Sequence, residues 1–527
     1  MHLTETILGL LIFVAILAWA AARIKLPYPI MLVMGGLALS LIPGLPVVEL
    51  NPEIVFVLFL PPILYYAGLQ TSWRDFRRNL RPIAWLATGL VVATMCAIAF
   101  VAHEMIPGLP WAAAFVLGAV VSPPDSVAPA AIFKWLHVPR RVTTILEGES
   151  AVNDASALVA YQLAIAAVVT GEFSLGVASK DFIVAALGGI AVGYAVARLT
   201  VWMRRYLRNA AVEGVISLLV PYMAYLPAEW MHVSGVLSAV TAGIVVSRRL
   251  PLVVSSEVRI RAYANWETLN FLLNGLVFIL IGLQLPKVMQ GLTDYSLPQL
   301  IAYSGTISLT AVAVRMTWVF TLGYMRYFLP ARFRPPDPPP TRREVFLIGW
   351  TGLRGIVSLA AAMALPTALA DGETPFPSRH LIIFITFGVI LATLVVQGLT
   401  LPLVIRILKL KASDEDEREQ RQAHLETAHA ALARLEAMAF THEELSEEIA
   451  RARVPYQERV LLYGARSVDI AVETQRSRFY RTVADIQREA IHAERRWLVK
   501  MRDDGIIGDD VFRKLEKELD LEESQLP

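Results

Sequence analysis

The chain is poor in cysteine, in charge and in the motifs of nucleotide and metal chemistry. Cys96 is the only cysteine in 527 residues, and it lies in an apolar run, which excludes a disulfide framework and a cysteine metal site. No Gly-Lys dipeptide occurs, so a phosphate-binding loop is ruled out, and none of the nine histidines falls in a His-Glu-x-x-His pattern. ATP-driven transport and metal-dependent proteolysis lose their signatures. An enzyme is not expected, nor a cofactor, and nothing suggests nucleic-acid binding. Charged residues make up only 18% of the chain against 55% hydrophobic, with a mean hydropathy of +0.52. That is far above the balance of a soluble globular protein.

The charge that exists is unevenly placed. Residues 1–410 hold 49 of the 94 Asp, Glu, Lys and Arg and carry a net charge of +9; residues 411–527 hold the other 45 and carry −7. Two domains follow, a membrane domain over 1–410 and a water-facing one over 411–527. A spanning helix takes about 20 apolar residues. The apolar runs predict thirteen spans near 5–23, 29–43, 53–69, 82–105, 111–136, 147–170, 181–203, 212–226, 233–248, 263–286, 298–326, 345–370 and 378–408. Met1 to Glu5 offers no basic residue ahead of the first run, so the first span is expected to be retained rather than cleaved as a signal peptide.

Twenty Lys and Arg lie on one set of connections, against Lys180, Lys287 and Arg379 on the other. Basic connections stay cytoplasmic, which predicts an outside N-terminus and a cytoplasmic C-terminus. The Pro-rich stretch Arg334 to Thr341 reads as an extended connector. In the tail, Leu425, Ala428, Leu432 and Leu435 recur at helical spacing, and Gly505 and Gly508 mark a turn before an acidic last helix. The tail reads as a solvated helical appendage.

An ionisable group inside a span costs at least about 2.5–3.5 kcal/mol and is a functional candidate by default. Five qualify: Asp125, Glu149, Asp154, Arg315 and Arg354. Glu104, Lys134, Arg198 and Glu267 fall near predicted ends and are expected to snorkel. Asp125 follows Ser122-Pro123-Pro124, and two adjacent prolines remove two amide donors and break the helix there. Broken helices expose carbonyls and a positive helix end at membrane depth, which is tolerated where they line a cavity or bind an ion. Ser126 or Asp125 is alternatively a cap for the second half-helix. At 100° per residue, Glu149 and Asn153 share one stripe of their helix and Ser150 and Asp154 the neighbouring one. A buried guanidinium needs a partner. The carboxylates are the available ones, and Glu149 is matched with Arg315. That leaves Asp154 free. The glycines around Arg354 predict a second interrupted helix, hence two interruptions in corresponding halves of an inverted repeat.

Burial penalises the charged form of a carboxylate, so such a group holds a proton or a small cation but not comfortably both. Oxygen donors from Asp154, Ser150 and the carbonyls of the break, including Pro124, suit an alkali cation such as sodium. One exchangeable charge per cycle makes transport electroneutral.

At this point the residues match a known pattern. Ser122 to Val159, with the Asp125 break, the Gly148-Glu149-Ser150 triplet and the Asn153-Asp154 pair, closely resembles the monovalent cation:proton antiporter-1 family of sodium/proton exchangers. Leu60-Pro61-Pro62-Ile63-Leu64, Asn274-Gly275-Leu276-Val277-Phe278 and Gly352-Leu353-Arg354-Gly355 look like further motifs of that family, and the tail resembles that of a bacterial branch. The resemblance implies an all-α membrane protein of about thirteen helices with inverted repeats and a helical cytoplasmic tail. It implies a homodimer in the plasma membrane and an elevator-like alternating-access cycle. It also implies a cation at Asp154 and Ser150 with Asp125 nearby, and a Glu149–Arg315 bridge. The Asn-Asp pair is similar to that of electroneutral members. Where the family has Thr-Asp-Pro, this chain has Pro124-Asp125-Ser126, which leaves the choice among lithium, sodium and potassium open. A potassium/proton antiporter is the alternative within the family, and a passive cation channel the alternative outside it.

Overall fold

The computed structural model describes residues 2–42, 52–136, 138–170, 175–207, 209–289, 291–292, 295–325, 340–369, 374–410, 414–441, 446–464, 487–488, 490–501, 504, 506 and 509–523. The Pro-rich connector up to residue 339, Gly505 and Gly508 lie outside them, as does the Lys134 side chain. Among the described residues the chain is helical throughout, with one isolated bridge between Ala368 and Pro375 and no strand. It forms two compact units, Met1–Ser413 and Asp414–Pro527.

Among the described residues of the first unit, eight helices are long and apolar enough to cross a membrane, and Leu8–Ile24, Tyr28–Ser40 and Trp111–Val121 are shorter apolar helices. A bilayer supplies no hydrogen bonds, so each segment satisfies its own backbone. The helix ends show how. Thr341 and Glu344 form a reciprocal capping box, and the Asn209 side chain accepts from the amides of Ala211 and Val212.

Two helices are interrupted. Trp111–Val121 stops before Pro123 and Pro124 and resumes as Val127–Leu136. Arg342–Trp350 stops at Thr351 and resumes as Ile356–Met363. The gaps meet: the Asp125 amide donates to the Leu353 carbonyl at 2.7 Å. Each break thereby uses an orphan backbone group of the other.

Some boundaries differ from expectation. The segment expected at 147–170 begins at Arg140, because its first two turns are polar and held by an ion pair from Arg140 to Asp75 at 2.6 Å; a hydropathy window passes over such a stretch. The segment expected to reach residue 370 ends at Met363. Close helix contacts rest on glycine. Gly68 and Gly243 face one another across Pro52–Gln70 and Gly235–Val253, and a Cβ at Gly68 would meet the Val240 carbonyl oxygen at 2.5 Å.

Among its described residues the second unit is helical. Asp414–Thr441 packs against Ser446–Gly464, with Ala428 buried and His424 stacked on Tyr463 at 4.5 Å. Arg495 of the helical stretch 490–501 pairs with Asp520 and Glu523 of Asp509–Glu523, both at 2.7 Å.

Candidate ion-binding site

The crossing of the interrupted helices forms one wall of a cavity of about 620 Å³. Pro124, Asp125 and Ser126 come from the first break, Ser358 from the helix after the second, and Ser150 and Asp154 from Arg140–Thr170. The two polar stripes of that last helix have separate destinies. Ser150 and Asp154 face the cavity, whereas Glu149 and Asn153 are not among its lining residues. Their side chains are buried against protein, Glu149 on Arg315 and Asn153 on the Pro124 carbonyl.

Glu149 and Arg315 are each 1% exposed and form a two-pronged ion pair, with Nη1 to Oε1 at 2.5 Å and Nη2 to Oε2 at 2.8 Å. Nε of Arg315 donates to the Ile348 carbonyl at 3.2 Å, in the helix that leads to the second break. The planar fork of arginine suits this arrangement, in which both charges are paired and a third donor is used. Asn153 donates from Nδ2 to the Pro124 carbonyl at 3.0 Å, so it ties the uninterrupted helix to the break beside Asp125. Its Oδ1 is buried without a hydrogen-bond partner among the described residues.

Arg354 departs from expectation. The sequence suggested a carboxylate partner, but its Nε donates to the Val121 carbonyl at 2.8 Å and its Nη1 to the Gly352 carbonyl. Those are the carbonyls that the two interruptions leave without helical partners. One guanidinium thus closes both helix ends, and the backbone amide of the same residue donates to Thr393 Oγ1 at 3.2 Å.

Asp125 combines both roles considered for it. Its Oδ1 accepts from the Val127 amide at 3.0 Å, a cap on the second half-helix, while the side chain lines the cavity against Gly355. Asp154 is 8% exposed, and among the described residues no hydrogen bond or ion pair to protein engages it. It lies within electrostatic range of Asp125. The carboxylates of Asp125 and Asp154 and the hydroxyls of Ser126, Ser150 and Ser358 make a hard-oxygen environment suited to a small cation or a proton. Among the described residues no group of three or more His, Cys, Asp or Glu is placed to hold a metal ion.

Some lining residues were not singled out from sequence. Glu147 lines the cavity with Ser150 and Asp154, and their i, i+3, i+7 spacing is a signal that would have found it. Glu267 lines it as well rather than simply snorkelling away, together with Asn270 and Asn274, which are joined by a hydrogen bond of 3.0 Å. Glu104 and Arg198 are exposed and do not line the cavity.

A family model described as sodium/hydrogen exchanger, transmembrane, matches residues 9–407. The chain belongs to this family. It is 34% identical to an uncharacterised Na⁺/H⁺ exchanger of Mycobacterium tuberculosis over 99% of this chain and 96% of that one. It is 31% identical to a low-affinity Na⁺/H⁺ antiporter of Synechocystis over 88% and 87%. A Bacillus subtilis protein named as a sodium, potassium, lithium and rubidium/H⁺ antiporter is 38% identical over 72% of this chain and 58% of its own length. In fold, the chain resembles the sodium proton antiporter of Methanocaldococcus jannaschii with a TM-score of 0.60 at 19% identity, covering 78% of this chain and 99% of that one. The family is one of multi-pass membrane transporters, and the all-helical architecture agrees with it.

Proposed function

We propose that the chain exchanges sodium for protons, one for one, across the plasma membrane, and that cation and proton compete for Asp154. The observation that carries this reading is the Asp154 carboxylate, without a hydrogen bond or ion pair among the described residues and facing the same cavity as Ser150 and Asp125 where two interrupted helices cross. A carboxylate with no fixed counter-charge is stable at membrane depth when a proton or a cation neutralises it.

In the proposed cycle Asp154 and Ser150 ligate the cation, with Asp125 and the Pro124 carbonyl beside them. Glu149 and Arg315 neutralise each other, so the occupant changes while the framework's charge stays fixed. Only one ligand pair exchanges charge, which supports electroneutral transport. The two interruptions, meeting between Asp125 and Leu353, support a thirteen-helix arrangement of inverted repeats and an elevator-like alternation around the crossing. The bias of basic residues supports an outside N-terminus and a cytoplasmic tail. A homodimer and a role in pH homeostasis complete the reading. Potassium is the second reading for the cargo, favoured by the name of the Bacillus subtilis relative and by the Pro124-Asp125-Ser126 sequence of the break.

The test is cation-induced proton release from acidified inside-out vesicles, with sodium, lithium and potassium added separately. Wild type is expected to respond to sodium and Asp154→Asn to lose the response. A response to potassium alone would exchange the cargo. An unaltered response in Asp154→Asn would remove the site.

A further inference from the structure

Away from the cavity, the helices deliver arginines to one place. Pro52–Gln70 and Gly235–Val253 approach closely at Gly68 and Gly243, and Ser247 donates to the Leu69 carbonyl at 2.7 Å near their ends. This brings Arg248 beside the short helix Trp73–Arg78, which follows Pro52–Gln70 and is capped by Ser72. The result is a hollow of about 490 Å³ lined by Trp73, Arg74, Arg77, Arg78 and Arg248. Neither Arg77 nor Arg248 has a carboxylate partner among the described residues, and both are exposed. The one acidic residue of the short helix, Asp75, is committed to Arg140. Trp73 is stacked on the buried Phe76 at 6.1 Å yet is itself 41% exposed.

Guanidiniums gathered around one hollow repel one another unless an anion sits between them, and their planar forks match phosphate oxygens. An exposed tryptophan beside such a cluster, at the end of apolar helices, is the residue expected at the level of lipid headgroups. Basic pockets between helix ends recognise anionic headgroups. We propose that this hollow binds the phosphodiester headgroup of an anionic phospholipid, with Arg77 and Arg248 as its phosphate forks and Trp73 against the glycerol.

The site is mechanically joined to the transport cavity. Phe76 packs where a Cβ on Gly148 would sit, 3.2 Å from that position, and Gly148 adjoins Glu149; Asp75 holds the start of the same helix through Arg140. A bound headgroup steadies the short helix and, through those two contacts, the helix that carries Ser150 and Asp154.

The experiment uses the full chain in phosphatidylethanolamine vesicles containing spin-labelled phosphatidylglycerol, and compares wild type with the Arg77→Gln/Arg248→Gln double variant. Two surface arginines correspond to a loss of roughly thirtyfold in headgroup affinity, with thermal unfolding unchanged because both side chains are exposed. Inorganic phosphate is expected not to displace the label. Equal lipid association in the two proteins would overturn the proposal. Displacement by inorganic phosphate alone would overturn the lipid assignment and make the hollow a site for free anions. Neither readout depends on ion exchange, so they stand apart from the fate of the transport reading.

Discussion

Glu149 and Arg315, separated by 166 residues, meet as a two-pronged ion pair with both side chains 1% exposed. Removing one member leaves the other as an uncompensated buried charge, which costs about 3–5 kcal/mol. Glu149→Gln is therefore expected to lower the thermal unfolding temperature of the purified protein strongly, and Arg315→Gln to do the same. A double Glu149→Gln/Arg315→Met variant recovers a good part of that loss. Additive losses in the double variant would contradict a paired bridge.

Gly355 lies so close to Asp125 that a Cβ there would sit 2.7 Å from Cγ and Oδ2. Gly355→Ala must push the Asp125 side chain off its position, at a cost of about 1–3 kcal/mol for such overpacking. The apparent sodium affinity is expected to fall by roughly tenfold while the fold persists. Unchanged affinity in transport assays would place Asp125 outside the cation's reach.

Asn153 holds the break through its amide donor to Pro124. An aspartate at this position presents oxygen to oxygen. Asn153→Asp is expected to lose about 1–3 kcal/mol of stability, as a buried acceptor left unsatisfied does. Thermal unfolding at neutral pH measures it, and stability equal to wild type would show that the amide is not the link between these helices.

The parts of this site that sequence made legible are those where backbone chemistry is local. Pro123 and Pro124 oppose a continuous helix through this point, so the sequence places an interruption near Asp125, and the structure has it between Val121 and Val127. The 100° rotation per residue gathers Glu149, Ser150, Asn153 and Asp154 on one polar side of their helix, and the structure divides that side: Ser150 and Asp154 line the cavity, while Glu149 meets Arg315 and Asn153 the Pro124 carbonyl. What stayed hidden was set by tertiary contact. Arg354 finds the carbonyls of Val121 and Gly352 rather than a carboxylate, because the crossing of two breaks, invisible in either segment alone, offers acceptors that a continuous helix would have used. The short helix Trp73–Arg78 reads in sequence as a charged loop, and its link to Arg140–Thr170 through Asp75 and Phe76 is a tertiary contact that neither segment shows alone.

In the second unit, Glu523 is held below the ordinary carboxylate range, first by the hydrogen bond from Arg495 and then by that from His492. A carboxyl depressed in the folded state adds stability above its unfolded value and loses it as the pH falls through the lower folded one. The contact between stretch 490–501 and helix Asp509–Glu523 is expected to hold at neutral pH and to loosen below about pH 4. Spin labels placed on the two helices in a Cys96→Ala background measure it. A distance distribution unaltered in acid would assign the contact to packing instead.

Competition between a proton and a cation for Asp154 is the central claim, and the pH dependence of the sodium KM tests it most directly. If one sodium displaces one proton, the KM measured in vesicles falls about tenfold for each unit rise in pH while the proton holds the site, and levels off once it does not. A sodium KM that does not change with pH, in a protein that still moves protons, would contradict it.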